Sequence, residues 1–206
     1  MSRLSRILTA VGALLLLALY VLPLWSIALF APQYPEGLGM RIRLTTVTGD
    51  RPTDLATING LNHYIGMRAI EPDSIRELHY FPLIVGALIV LGLVAAAIGK
   101  RGVLIAWLTG LAAFGVAGLI DFWRWSYDYG HNLDFEHAII KVPGMSYQPP
   151  LIGTKQLLNF TATSWPAAGA WLALAAFLLG VAALLLTRPT TVLPFAKRDL
   201  LLQEAS

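Results

Sequence analysis

Four long apolar segments constrain this chain more than any other feature of its sequence. A bilayer core about 30 Å thick requires roughly 20 apolar residues in helical form, because unpaired backbone groups are too costly there. Charged residues make up only 13% of the chain, whereas soluble domains average about 25%. We therefore predict an integral membrane protein of one domain, with transmembrane helices over residues 7–30, 80–98, 103–122 and 166–187.

The first apolar segment has a second interpretation as a secretory signal peptide, because Arg3 and Arg6 precede it. Signal peptides have an apolar core of about 7–15 residues, and the segment over residues 7–30 is longer than that. We expect this segment to be retained as a helix, with cleavage near Ala28 as the alternative.

Basic residues set the expected orientation of the helices. Short segments rich in Lys and Arg stay in the cytoplasm, and long loops count little in this rule. We therefore expect both termini to be cytoplasmic and residues 31–79 and 123–165 to form two outer loops. Much of the basic excess behind the net charge of +3 thus has a topological role, so no nucleic-acid partner is expected. The basic residues used in this assignment are Arg3, Arg6, Lys100, Arg101, Arg188, Lys197 and Arg198.

The outer loops have local patterns that indicate ordered structure. Alternating apolar residues predict a short strand over residues 40–44, and Thr53 is placed to begin a helix. In the second loop we predict a single helical turn over residues 134–140 and an amphipathic helix that begins at Thr154. The predicted fold is an all-α bundle of four transmembrane helices under a compact cap formed by both loops.

Small residues in the apolar segments predict close helix packing. Glycine allows two helix backbones to approach, and seven glycines fall in the last three segments. Asp121 and Arg124, spaced i,i+3 where the third segment ends, can form an ion pair. The glycines are Gly86, Gly92, Gly110, Gly115, Gly118, Gly169 and Gly180.

Histidine and methionine are concentrated in the outer loops, which hold all four histidines and every methionine after the first residue. Imidazole and thioether groups without any cysteine suit copper better than magnesium or calcium. His63 and Met67 are spaced to share one face of a helix, and His131 and Met145 can complete a site from the other loop. The alternative is that the histidines bond to backbone groups while the methionines pack the cap.

Enzyme motifs do not occur in this sequence. It lacks a G-x-S-x-G elbow, an H-E-x-x-H pair and a phosphate-binding G-x-x-x-x-G-K loop. Asp134, Glu136 and His137 lie close together, but this spacing favours a helix N-cap over an acid–base pair. We therefore expect a non-enzymatic protein.

Four motifs resemble a known family: small bacterial four-span membrane proteins associated with the maturation of nitrous-oxide reductase, a periplasmic multicopper enzyme. The resemblance extends over nearly the whole chain and implies a bacterial inner-membrane setting with a copper or electron-supply partner. It implies no role for any particular residue. The motifs that carry it are YPEGL (34–38), NGLNHYIGM (59–67), YGHNLD (129–134) and PGMSYQPPL (143–151).

The functional expectation is an accessory membrane protein of a periplasmic copper-dependent respiratory system. It would bind or relay copper through His63, Met67, His131 and Met145, or dock a periplasmic or membrane protein that handles copper. One alternative is an electron-transfer anchor with a quinol or haem site at the outer face near His79, His131, Trp123 and Trp125. The other is a scaffold subunit without a cofactor.

Overall fold

Helices and a β-sheet divide this chain into two layers in the computed structural model, which describes residues 1–142 and 144–187. Within that part, five antiparallel strands form one sheet in the order β3-β2-β1-β5-β4. The helices are α1 (Arg3–Leu15), α2 (Asp54–Tyr64), α3 (Glu77–Ile98), α4 (Arg101–His131) and α5 (Ala168–Leu185). The strands are β1 (Trp25–Ala31), β2 (Tyr34–Ile42), β3 (Val47–Gly49), β4 (Gly153–Leu157) and β5 (Phe160–Pro166).

Among the residues that the structure describes, four helices are long and apolar enough to cross a membrane, as the sequence predicts. They are α3, α4, α5 and the segment Arg3–Tyr20, in which a 3-10 helix over Leu16–Tyr20 extends α1. This first helix ends earlier than predicted. Pro23 lacks the N–H that a continuing helix requires, and the residue before a proline is disfavoured in helical conformation.

The prediction of an all-α fold is wrong, because the outer loops fold into the five-stranded sheet. Residues 25–30, assigned from the sequence to the first transmembrane helix, lie in the central strand β1, which pairs with β2 and β5. Ala28, the alternative cleavage position, lies opposite Gly39 and Thr163 in this sheet. A continuous apolar run suits a buried strand as well as a helix, so its composition does not separate the two.

The amphipathic helix predicted from Thr154 is also absent, because Thr154 lies in β4 of a β4–β5 hairpin. Leu157 pairs with Phe160 across a two-residue turn. Leu158 in that turn has a φ of 57°, in the left-handed region. The alternation of exposed and buried residues in β5 identifies it as a strand with one face against the interior.

Helix α2 packs on the sheet, and we define the cap as the sheet, α2 with the residues that follow it, and the chain between the end of α4 and β4. The helix begins at Asp54, directly after Thr53, as the sequence predicts, although the Thr53 side chain makes no capping bond. Asp54 is only 2% exposed. Its carboxylate accepts hydrogen bonds from the Gly39 backbone N–H at 3.0 Å and from the Arg51 Nε at 3.1 Å. The predicted strand over residues 40–44 is confirmed in part by β2, which ends at Ile42.

Trp107 lies at the centre of the helix bundle and is fully buried. Its indole N–H donates to the Leu88 carbonyl at 2.9 Å. Glycines from three other helices face this ring: a β-carbon built on Gly12, Gly92 or Gly180 would lie 3.2, 2.8 or 2.6 Å from its nearest ring atom. The predicted close packing at Gly92 and Gly180 is therefore confirmed.

Basic side chains bind the carbonyl ends of helices at the end of the bundle opposite the cap, which we call the basal end. Arg6 Nε donates to the Ala96 carbonyl at 2.7 Å, where α3 ends. Arg101 donates to the Thr187 carbonyl at 2.8 Å, just beyond α5. A positive charge is favourable at a helix C-terminus, because the last carbonyls lack intrahelical partners.

Helix α4 extends well past the length of a membrane span. Its 31 residues measure about 46 Å at 1.5 Å per residue, against about 30 Å for a bilayer core. No ion pair joins Asp121 to Arg124, although the structure describes both residues. The last turns of α4 instead pack on the cap through Trp125 and Tyr129.

Candidate functional site

His63 and Met67 lie on either side of the end of α2, not on one helical face. The helix ends at Tyr64, and Gly66 takes a left-handed φ of 77°. The Gly66 N–H donates to the His63 carbonyl at 3.3 Å, and the Met67 N–H donates to the Asn62 carbonyl at 2.9 Å. These two bonds form a Schellman motif, which the glycine makes possible. The imidazole of His63 is exposed, whereas Met67 packs partly buried against the core of the cap.

His131 is the last residue of α4, and its ring is held in one orientation. Its Nδ1 lies 2.9 Å from the Tyr127 carbonyl, and the two rings stack with centroids 4.0 Å apart. A carbonyl only accepts hydrogen bonds, so Nδ1 carries the hydrogen and the lone pair of the neutral imidazole is on Nε2. Histidines that bind metals are commonly oriented by such a bond. The His131 side chain is exposed at the end of the helix, and among the described residues its Nε2 makes no hydrogen bond.

Met145 belongs to a segment that lies beside the end of α4. The Tyr147 N–H donates to the Gly130 carbonyl at 3.0 Å, and a β-carbon on Gly130 would collide with Gln148. Burial raises the pKa of the Tyr147 hydroxyl. Met145 itself is half-buried.

The segments that carry the four predicted ligands are neighbours in the fold. The Asp134 N–H donates to the Gly66 carbonyl at 2.8 Å, which links the end of α2 to the chain just after His131. Within residues 1–142 and 144–187, no three His, Asp or Glu side chains form a group able to hold a metal ion. A site formed by His63, Met67, His131 and Met145 stays a prediction.

Asp134 caps a short turn, as the sequence indicates, and also fixes the ring of His137. One carboxylate oxygen accepts the N–H groups of Glu136 and His137 at 3.1 and 3.2 Å. The other lies 2.7 Å from His137 Nδ1. The hydrogen bond from the His137 ring, followed by that from its backbone, lowers the pKa of Asp134. Sequence analysis missed this contact, although the i,i+3 spacing of an acid and a histidine could have indicated it.

The four residues suggested for a quinol or haem site do not share one pocket. Trp123 and Trp125 are two positions apart on α4, so they lie on nearly opposite faces of the helix. Trp123 is 48% exposed and lies against Tyr127 with the two rings tilted, whereas Trp125 packs into the core of the cap. His79 is exposed in the first turn of α3, where its Nδ1 lies 3.3 Å from the Ile75 carbonyl.

Exposed apolar side chains form a patch at the far end of the cap. The N–H groups of Ile139 and Ile140 donate to the Tyr64 carbonyl at 3.1 and 2.8 Å, which joins the segment after α4 to the end of α2. Tyr64, Phe135, Ile139 and Ile140 are 49, 41, 65 and 47% exposed, and we call these four residues the cap patch. The sequence predicted only a helical turn over residues 134–140 and gave no indication of an exposed apolar surface there.

No family profile matches this chain, and no curated protein matches its sequence. Its function is therefore inferred from its residues and their geometry.

Proposed function

We propose that this chain is a non-enzymatic accessory protein of the bacterial inner membrane, whose cap docks a periplasmic partner that handles copper for a respiratory enzyme. The observation that carries the proposal is the cap patch. Four large apolar side chains remain exposed on an ordered, hydrogen-bonded surface, although the cap buries other residues of the same kind. Clustered exposed apolar residues of this kind mark interaction surfaces.

The position of the cap patch favours a protein partner over lipid. Asp121 lies at the outer edge of the predicted third span, and α4 continues for ten more residues to His131, about 15 Å farther along the helix axis. Phe135, Ile139 and Ile140 follow that end. An apolar surface this far from the bilayer contacts water until a partner covers it.

The charge distribution supports a periplasmic cap. Arg3, Arg6, Lys100 and Arg101 all belong to the basal end of the bundle, and the positive-inside rule assigns that end to the cytoplasm. Thr187, which Arg101 contacts, shows that the described chain returns to the same end.

The orientation is tested with a cysteine introduced at Leu158. Spheroplasts are treated with a membrane-impermeant thiol reagent, and labelling of this cysteine is expected. Labelling only after the membrane is broken would contradict it.

Copper enters the proposal through the resemblance and through the donor atoms of the cap. The exposed imidazoles of His63 and His131 suit a transient copper site that a docked partner completes, with Met67 and Met145 as the proposed thioether ligands. We expect the His63→Ala/His131→Ala variant to retain less Cu(I) than the parent protein after dialysis, as measured by elemental analysis. His79→Ala changes an equally exposed histidine outside this group and is the control. Equal copper retention by the parent protein and both variants would contradict copper binding by His63 and His131.

Docking is tested by a photo-crosslinking residue placed at Ile139 in intact cells. We expect adducts with a periplasmic copper protein, identified by mass spectrometry, and their loss when Tyr64→Asp adds a charge to the same patch. The same crosslinker at Leu158, which is 41% exposed at the tip of the β4–β5 hairpin, is the matched control. Equal adducts from both positions, or adducts with lipid alone, would contradict docking at the cap patch.

A further inference from the structure

A large apolar cavity lies between α3, α4 and α5, beneath the sheet. Its volume is about 610 Å³, within the range of about 300–1,000 Å³ that is usual for sites that bind small ligands. Helices α4 and α5 meet at Leu108 and Gly180 near the basal end. Nearer the cap they separate, and the cavity occupies the space between residues 111–122 of α4 and 170–177 of α5.

The cavity opens sideways, toward the surface that a bilayer would cover. Val116, Leu119 and Trp171 line it and are 58, 43 and 59% exposed. Gly115 and Gly118 also line it, and a β-carbon on either would meet nothing within 4 Å. These two glycines, predicted to pack against another helix, therefore border open space.

Two carboxylates stand at the cap end of this cavity. Glu77 begins α3, and Asp121 lies near the point where α4 passes the sheet. Neither belongs to any of the five ion pairs among the described residues. No Lys, Arg or His is among the described residues that line the cavity. Aromatic rings surround the same end, where Trp25 and Phe122 have centroids 5.2 Å apart and Trp125 lies nearby.

We propose that this cavity binds an isoprenoid quinol, with its tail between α4 and α5 and its ring at the cap end. This inference goes beyond the proposed docking function. The hydroxyl groups of a quinol can donate hydrogen bonds to the carboxylates of Glu77 and Asp121, and its flat ring suits the aromatic walls. The tail matches the apolar lining and leaves through the lateral opening.

Two other occupants fit the cavity less well. A phospholipid would bring its anionic phosphate to two carboxylates with no lining cation to offset the repulsion. A transmembrane helix from a second copy is too wide, because a cylinder about 10 Å across occupies about 80 Å³ per ångström of length. A volume of about 610 Å³ therefore holds less than two turns of such a helix.

The test is titration of the purified full-length protein in detergent with decylubiquinol, followed by intrinsic tryptophan fluorescence, because Trp25, Trp125 and Trp171 line the cavity. We expect saturable binding that weakens by about tenfold or more in Gly115→Leu/Gly118→Leu, which fills the cavity. Gly102→Leu is the control, since Gly102 lies in the same helix, has equally open surroundings and lies outside the cavity.

A second pair of changes tests the head group. Glu77→Gln/Asp121→Asn keeps the size of both side chains but removes their charge, so quinol binding is expected to weaken by about tenfold. Equal affinity in all variants would overturn the proposal. So would co-purified phospholipid that decylubiquinol fails to displace, or crosslinking of a second copy through position 118. The variants leave the cap patch unchanged, so a failure here is independent of the docking test.

Discussion

Replacing Gly180 by alanine tests whether the contacts of Trp107 hold the bundle together. The added methyl carbon would lie 2.6 Å from Trp107 Cζ3 and 2.6 Å from a methyl carbon of Leu108. Carbon atoms pack best at about 3.5–4.0 Å, so the ring or the helix must move by about 1 Å. Leu108 can change its rotamer, but the buried indole is held by its hydrogen bond to the Leu88 carbonyl.

The expected cost follows from these distances. Forcing an extra methyl group into a well-packed core destabilises a protein by about 1–3 kcal/mol. Alanine is favoured over glycine within a helix by about 0.5–1 kcal/mol, which offsets part of that cost. At Gly118 a β-carbon meets nothing within 4 Å, so the same substitution there gives the favourable helix preference of alanine without the clash. Gly180→Ala should therefore be less stable than Gly118→Ala by about 1–3 kcal/mol.

The free energy of unfolding is measured by titration with SDS in mixed micelles, with helix content followed by circular dichroism. Gly180→Ala is compared with Gly118→Ala and with the parent protein. In a Trp107→Leu background the penalty at Gly180 should shrink, because a smaller side chain leaves room for the methyl group. Equal stability of the two alanine variants would refute the reasoning, since it would mean that the bundle adjusts around Trp107 at no cost.

Two further predictions concern carboxylates of the cap and the turn after α4. Asp54→Ala should lower the free energy of unfolding by about 1.5–3 kcal/mol, because the Gly39 N–H loses a charged acceptor. Loss of the ion pair with Arg51 should add little to this cost, because Arg51 is half-exposed. Asp54→Asn, which keeps an acceptor oxygen, should lose less. The pKa of Asp134 lies below its ordinary 3.8, so the stability it contributes is complete above that value and is lost as the pH falls through the lowered pKa. His137→Gln should move the Asp134 pKa back upward in a carbon-detected NMR titration, and an unchanged pKa would exclude the ring contact as its cause.

The helical spans followed from composition, but the sheet did not. Residues 80–98 are apolar over the full thickness of a bilayer core. A single segment in that apolar environment can hydrogen-bond its own backbone groups only by forming a helix. Residues 25–31 are equally apolar but shorter, and they form a strand that pairs on one side with β2 and on the other side with β5. The pairing with β5 joins segments well over a hundred residues apart in the chain, and local periodicity carries no information about such contacts.

The candidate ligands illustrate the same limit at the level of single residues. The spacing of His63 and Met67 suits a shared helical face, but Gly66 between them also suits a helix end, and the helix end is what forms. The available signal in the sequence was the glycine at position 66, because glycine is favoured just after the end of a helix. The orientation of His131 toward the Tyr127 carbonyl is an i,i+4 contact and was within reach of the sequence.

The unexpected sheet also holds the outer ends of the two helices that border the cavity. The start of α5 is fixed beneath β1, since the Gly169 N–H donates to the Pro23 carbonyl at 2.9 Å and the Ala167 N–H donates to the Leu24 carbonyl at 3.0 Å. The outer part of α4 is held by Trp125 and Tyr129, which pack into the core of the cap, and by Phe122, whose ring centroid lies 5.2 Å from that of Trp25 in β1. Two helices that touch at the basal end are thus both held at their outer ends by the cap, and the cavity lies between them just beneath those attachments.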